Sequence, residues 1–364
     1  MTQPTLEDAR TLSEWRPALG VLSVYLGFDP ADRGGAWRTE LRNGLDAVLS
    51  SHEDAEHDRR VALRATAKRL TERFEDGELR PPPRGEVGFV EVAEKAGAEH
   101  WFGVGVAPEA SACVELGSEP VVAPLLALCA HNGARGVALL SAERVRLLRC
   151  AEGALEDLDD WELSITSLDW RERKSHSASD PARAQGVGAS GHDQHHERLE
   201  HNRQRFLTEC GGLAASRTEG DGLEEVIVFG PTRDLESFKS GFGAGGASLV
   251  IGGDSELIST PKDHLGELVA AVVSRHDAER DRAVVSRALG EAKGSSRGAL
   301  GLQETQAALA EGRVDHLVLD AAIDGESEAL VRAALASGAR VTVVHDEAAA
   351  PLAAADGVAA VLRY

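Results

Sequence analysis

Gly312-Arg313-Val314-Asp315-His316-Leu317-Val318-Leu319-Asp320 opens the most regular stretch of the sequence. Its apolar, partly β-branched run predicts a strand over Val314–Asp320. A helix is expected over Glu326–Ser337, with Gly338 as the left-handed residue just past its end. Arg340–His345 reads as a second strand, Ala348–Ala354 as a helical turn and Gly357–Tyr364 as a last strand. This βαβαβ order implies a small sheet with helices packed on it. Just upstream, Leu265–Lys293 reads as a long, charge-laced helix and Leu302–Glu311 as a second.

Working outward, the middle of the chain also alternates strands and helices. Gly136–Ser141 and Val145–Cys150 are short apolar strands around Ala142-Glu143-Arg144, which is a hairpin pattern. A polar insertion runs from about Leu168 to His201, a helix is expected to start at Gln194, and Asn202–Leu213 continues it. Glu225–Gly230 and Leu249–Gly252 read as buried strands, and Gly241–Gly246 as a flexible loop. Earlier still, Val21–Leu26 is a strand pattern. Trp37–Arg73 carries helical spacing broken near Ser50-Ser51-His52, Gly88–Val92 and His100–Val106 look like a strand pair, and Pro120–Cys129 like a helix. The expected fold class is α/β throughout, in three α/β domains: residues 1–131, a central domain 132–260 with a polar arm 168–201, and 261–364.

The chain has 364 residues, 42% of them hydrophobic and 27% charged, enough to bury more than one core. Apolar runs such as Val121–Cys129 fall well short of the about 18 residues that span a bilayer, and the first residues show no leader pattern. The four cysteines, Cys113, Cys129, Cys150 and Cys210, form no CxxC pair and read as reduced thiols of a cytoplasmic protein. A net charge of −21 argues against a generally basic nucleic-acid binder, while leaving room for one local basic site.

Asp356-Gly357-Val358-Ala359-Ala360-Val361-Leu362-Arg363-Tyr364 resembles the closing strand of the archaeo-eukaryotic class-I peptide-chain release factor and Pelota superfamily. Gly312–Leu319 and Gly338–Val344 resemble the two strands that precede it, in the same order and spacing. The Leu22–Leu26 strand and the Val137–Cys150 hairpin are similar to the bacterial, Balon-like branch. The resemblance implies a first domain toward the decoding site, a central release-factor-like domain reaching the peptidyl-transferase centre, and an L30e-like last domain that meets a translational GTPase.

The family's central domain carries a Gly-Gly-Gln loop, whose glutamine sits by the ester bond of peptidyl-tRNA. No Gly-Gly-Gln occurs in this chain. The corresponding stretch is Gln185-Gly186-Val187-Gly188-Ala189-Ser190-Gly191-His192-Asp193-Gln194-His195-His196-Glu197, with Gly191 two residues removed from Gln194. Gln194 and His192 are the candidate catalytic residues should hydrolysis occur. Candidate RNA-binding residues are Arg171, Arg173, Lys174, Arg183, Gly186, Gly188, Gly191, Gln194, His195, Arg198, Arg203 and Arg205. Such cations would give salt-dependent, sequence-independent contacts to phosphate. Glu172, Asp180, Asp193, Glu197 and Glu200 interleave with them, as on a solvated face of mixed charge.

Three other motifs in this arm carry less. Gly186-x-Gly188-x-x-Gly191 has the letters of a dinucleotide fingerprint, but the residues before it cannot form a core strand. His192, His196 and Glu200 share a helical face that could ligate zinc, yet no His-Glu-x-x-His pattern or nearby cysteine supports a metal. Ser190 lacks the strand and the Gly-x-Ser-x-Gly elbow of a hydrolase nucleophile. Neither a cofactor nor a metal is expected.

The resemblance implies a ribosome-associated translation factor of the A site, for hibernation or stalled-ribosome handling, with ribosomal RNA and a translational GTPase as partners. The alternative is a peptidyl-tRNA ester hydrolase, a release or rescue factor working through the Gly186–Gln194 arm. No membrane or DNA partner is expected. The first stretch contains no Asn-Ile-Lys-Ser segment, so codon reading is not expected either.

Overall fold

The structure is a computed structural model that describes residues 3–28, 35–75, 85–105, 112–131, 133–151, 154–163, 191–243, 246–294, 297–323 and 327–364. Two compact units form: Met1–Gly133 together with Val273–Tyr364, and Ala134–Val272.

In the first unit, α1 (Leu6–Ser13) precedes β1 (Val21–Gly27), and α2 (Ala36–Ser51) and α3 (His57–Glu75) follow it. Then come β2 (Gly85–Glu91), β3 (Glu99–Val104), β4 (Ala112–Gly117) and α4 (Ala123–His131). The sheet order is β3-β2-β1-β4, with β1 antiparallel to both neighbours. β1 is buried along its whole length because both faces of the sheet are covered, which explains its unbroken apolar run. Leu22, Val24 and Leu26 face one core with Trp37, Leu41 and Leu45 of α2 and Leu63 and Leu70 of α3. Val21 and Tyr25 face a second core that also holds Leu125 of α4. The expected break near Ser50–His52 separates α2 from α3.

The second unit contains β5 (Arg135–Leu140), β6 (Arg144–Ala151), β7 (Ala154–Glu162), α5 (Gly191–Gly220), β8 (Glu225–Phe229), α6 (Thr232–Phe242) and β9 (Ser248–Gly253). The sheet order is β7-β6-β5-β8-β9, an antiparallel meander continued by two parallel strands. The hairpin around Ala142–Arg144 forms as expected. β7 is absent from the sequence reading. Its acidic composition disfavours a strand, and cross-strand ion pairs offset that: Arg144 binds Asp160 at 2.8 Å and Arg146 binds Asp157 at 2.7 Å. Gly241 also departs from expectation. It lies inside α6, not in a loop, because that helix crosses α5 at very short range.

α7 (Lys262–Gly294) passes from the second unit into the first. Beyond it lie β10 (Gly298–Leu300), α8 (Gly301–Ala310), β11 (Val314–Asp320), α9 (Ser327–Ala336), β12 (Arg340–Val344), α10 (Asp346–Ala349), a 3-10 turn over Ala350–Ala355, and β13 (Val358–Leu362). The sheet order is β10-β13-β11-β12. β11 and β12 are parallel, as their α9 crossover requires, and β13 is antiparallel to β11. Gly338 adopts φ 69° and closes α9 in the left-handed conformation expected of it.

The Leu362-Arg363-Tyr364 ending has a physical reason. Leu362 is buried in the core. Arg363 donates from Nη2 to the Ser337 carbonyl at 2.9 Å and from Nη1 to Gly312 O at 3.3 Å, placing a cation at the carbonyl end of α9. Tyr364 is 72% exposed.

The 1–133 and 273–364 segments share one apolar core: Phe89, Leu125 and Leu126 lie in the same cluster as Leu317, Leu330 and Val331. Arg332 fastens it with donors to Ser13 O at 3.0 Å and Glu119 Oε2 at 2.6 Å.

Candidate nucleic-acid interface

α5 carries the described part of the candidate arm. Its helix begins at Gly191, so the last part of the polar insertion, 191–201, is helical. Arg203, Leu207, Cys210, Ala214 and Thr218 are its buried stripe, spaced at three to four residues as a single helix face requires. Leu207, Cys210 and Ala214 pack on Ala138 of β5, Leu147 of β6 and Leu235, Phe238 and Phe242 of α6.

The crossing of α5 on α6 is built from glycine. A Cβ on Gly211 would stand 2.8 Å from Phe242 N and 3.1 Å from the Gly241 carbonyl carbon. A Cβ on Gly241 would stand 2.6 Å from the Thr208 carbonyl carbon. Only hydrogen at these positions lets the two backbones approach so closely. Thr208 Oγ1 adds hydrogen bonds to Gln204 O at 2.9 Å and Ser237 O at 3.2 Å.

Of the candidate residues, Arg171, Arg173, Lys174, Arg183, Gly186 and Gly188 lie outside the described residues. Gly191, His192, Gln194, His195 and Arg198 occupy the first turns of α5. Gln194, Arg198, His201 and Arg205 follow one another at i, i+4, i+7 and i+11, so their backbone positions share a face. His201 is exposed. The Arg205 side chain is 74% exposed and meets Glu209 at 2.9 Å, one turn on.

Arg203 lies elsewhere. Its side chain is 9% exposed and donates from Nη2 to the Asp234 carboxylate, itself 2% exposed, in the first turn of α6. Glu200 stands 3.9 Å from its Nη1. The sequence reading groups Arg203 with the phosphate contacts, whereas its guanidinium is turned inward. It misses Asp234, whose buried position shows only in the stripe Asp234-Leu235-Phe238-Phe242 of α6. Cys210, on the buried face, has its thiol pushed up to about 12 by burial, with Glu209 adding to the effect.

Among the described residues, no group of three or more His, Cys, Asp or Glu is placed to hold a metal ion, and no helix is long and apolar enough to cross a membrane.

Residues 120–253, spanning α4 through β9, match a family of bacterial archaeo-eukaryotic release factors. The family matched over this stretch is bacterial archaeo-eukaryotic release factor family 10. No curated protein matches the sequence. Among solved structures, the archaeal translation termination factor aRF1 is 20% identical, with 100% of this chain and 99% of that chain covered at a TM-score of 0.28. S. cerevisiae Dom34, described as a translation termination-like factor interacting with Hbs1, is 11% identical over 77% of this chain and 79% of its own, at a TM-score of 0.42. Archaeoglobus fulgidus Pelota is 16% identical over 77% and 79%, at 0.36.

Proposed function

We propose that this chain is a ribosome-associated translation factor that occupies the A site and serves ribosome hibernation or the handling of stalled ribosomes. The release-factor family match over residues 120–253 carries the reading. The missing Gly-Gly-Gln directs it away from ester hydrolysis by the family's loop chemistry. In this reading α5 is the base of an arm directed toward the peptidyl-transferase centre. Arg198, Arg205 and the cations of 171–183 contact ribosomal RNA, and the last domain, 261–364, meets a translational GTPase. The protein is expected in the cytoplasm.

Sedimentation of stationary-phase lysates through sucrose gradients tests this. The chain is expected with ribosomes at low salt and is expected to leave them as salt rises, since phosphate contacts release counterions. Recovery only in the soluble fractions at low salt contradicts the proposal.

The rival reading, peptidyl-tRNA hydrolysis, draws on Gln194, which stands in the first turn of a helix that follows a glycine-rich stretch. Positioning of water by Gln194 or His192 would carry such a reaction. A release assay on purified ribosomes decides between the two. Release that is lost in Gln194→Ala supports hydrolysis, and absence of release supports binding alone.

A further inference from the structure

We propose that Arg203 and Asp234 form a clamp that sets the direction in which the Gly191–Asn202 end of α5 leaves the second unit, which makes Arg203 a positioning residue of the arm. The inference rests on the reading that this end of α5 faces RNA.

Among the side chains described, Arg203 is the last buried one on going up α5 toward Gly191. Upstream of it, Asn202, His201, Glu200 and Glu197 are exposed and Leu199 is half-buried. Among the described side chains, the buried stripe of α5 therefore ends at Arg203. A buried charge at that point is costly unless it is paired, and Asp234 pairs it from the neighbouring helix. The guanidinium is a planar fork, so the pair constrains angle as well as distance.

The Gly211–Gly241 crossing is the second fixed point. It lies about 12 Å along the helix from Arg203, and the Gly191 end lies about 18 Å further on. With the crossing as pivot, about 1 Å of slack at Arg203 becomes about 2.5 Å at Gly191. Leu207 against α6 and the Thr208–Ser237 hydrogen bond resist rotation close to the crossing, where the lever is short. The ion pair resists it farther out, at Arg203.

The test places spin labels, carried on non-canonical residues, at the exposed positions Glu197 and Glu156, both in the second unit. Their distance distribution is measured by pulsed electron resonance in the full chain. Arg203→Met is expected to widen the distribution, about 1 Å of slack at Arg203 becoming about 1.8 Å at Glu197. The reversed pair Arg203→Asp with Asp234→Arg is expected to narrow it again. Asp234→Asn serves as a second variant where Arg203→Met fails to fold, with the same widening expected. Ribosome affinity is expected to fall about tenfold with the widening and to return with the reversed pair. An unchanged width in the single variants overturns the clamp. A widened distribution with unchanged ribosome affinity overturns its part in binding. A wild-type chain that does not sediment with ribosomes removes the functional reading, and the widths then judge the clamp alone.

Discussion

Glu328 on α9 accepts hydrogen bonds from the backbone N–H of Val122, at 3.0 Å to each carboxylate oxygen, and from that of Ala123 at 3.0 Å. A residue of the last segment thus caps a helix of the first, across 206 positions of sequence. Burial raises the Glu328 carboxyl above its ordinary 4.5, against the lowering effect of the Val122 and Ala123 hydrogen bonds and of Arg332. Folding therefore favours the protonated form. The contribution is complete below the unfolded value near 4.5 and is lost as pH rises through the higher folded value. Glu328→Gln cannot titrate. The urea midpoint of the wild type should fall relative to that of the variant across this window and then run parallel to it. A gap that moves the other way would contradict the assignment.

The α5–α6 crossing has no room for a methyl group. Gly241→Ala should destabilise the second unit by about 1–3 kcal/mol, the usual cost of overpacking a close-packed contact. Gly243→Ala is the wrong control, because that glycine has φ 76°. Gly266→Ala, which meets open space on α7, should be near neutral. Equal melting temperatures for Gly241→Ala and Gly266→Ala would show that the backbones are not in contact.

Three thiols should be inert in the folded chain. Burial lifts Cys129 and Cys210 to about 12 and Cys113 to about 11. At about pH 7.5 their thiolate fractions are then three or more orders of magnitude below full ionisation. Brief treatment of the native protein with iodoacetamide, read by mass spectrometry, should leave these three unmodified, and denaturation should expose them. Rapid native alkylation of Cys129 would contradict the placement of α4 in the core.

His316 contacts Thr342 Oγ1 at 2.8 Å across the parallel β11–β12 pair. Burial first, and Arg340 second, lower its imidazole to about 4. Folding favours the neutral ring, so its contribution is present above the unfolded value of 6.5 and is lost as pH falls through about 4. An NMR titration should place the His316 midpoint near 4. A midpoint near 6.5 would mean that the ring is solvated.

Local signals carried much of the fold. β1, β5 and β8 are apolar runs buried on both faces, as is the Leu317–Leu319 part of β11, and α2 repeats Trp37, Leu41, Leu45 and Val48 on one face, so period and composition agree. The elements that composition hid are those stabilised by partners distant in sequence. β7 is an acidic strand paired by Arg144 and Arg146. α6 ends in a glycine-rich run whose meaning lies in a contact with α5. The fate of Arg203 was hidden for the same reason: as a cation on a polar helix it reads as a phosphate ligand, and only Asp234, 31 residues away, shows otherwise. The Leu362-Arg363-Tyr364 ending was legible as a resemblance, while its structural role needed the Ser337 and Gly312 carbonyls.

The most direct test of a ribosomal A-site factor is a cryo-electron microscopy map of the chain on native ribosomes. Density in the A site, with the Gly191 end of α5 directed to the peptidyl-transferase centre and Arg205 against ribosomal RNA, is the predicted result. Density at any other ribosomal site, or ribosomes that bear no factor at low salt, would contradict it.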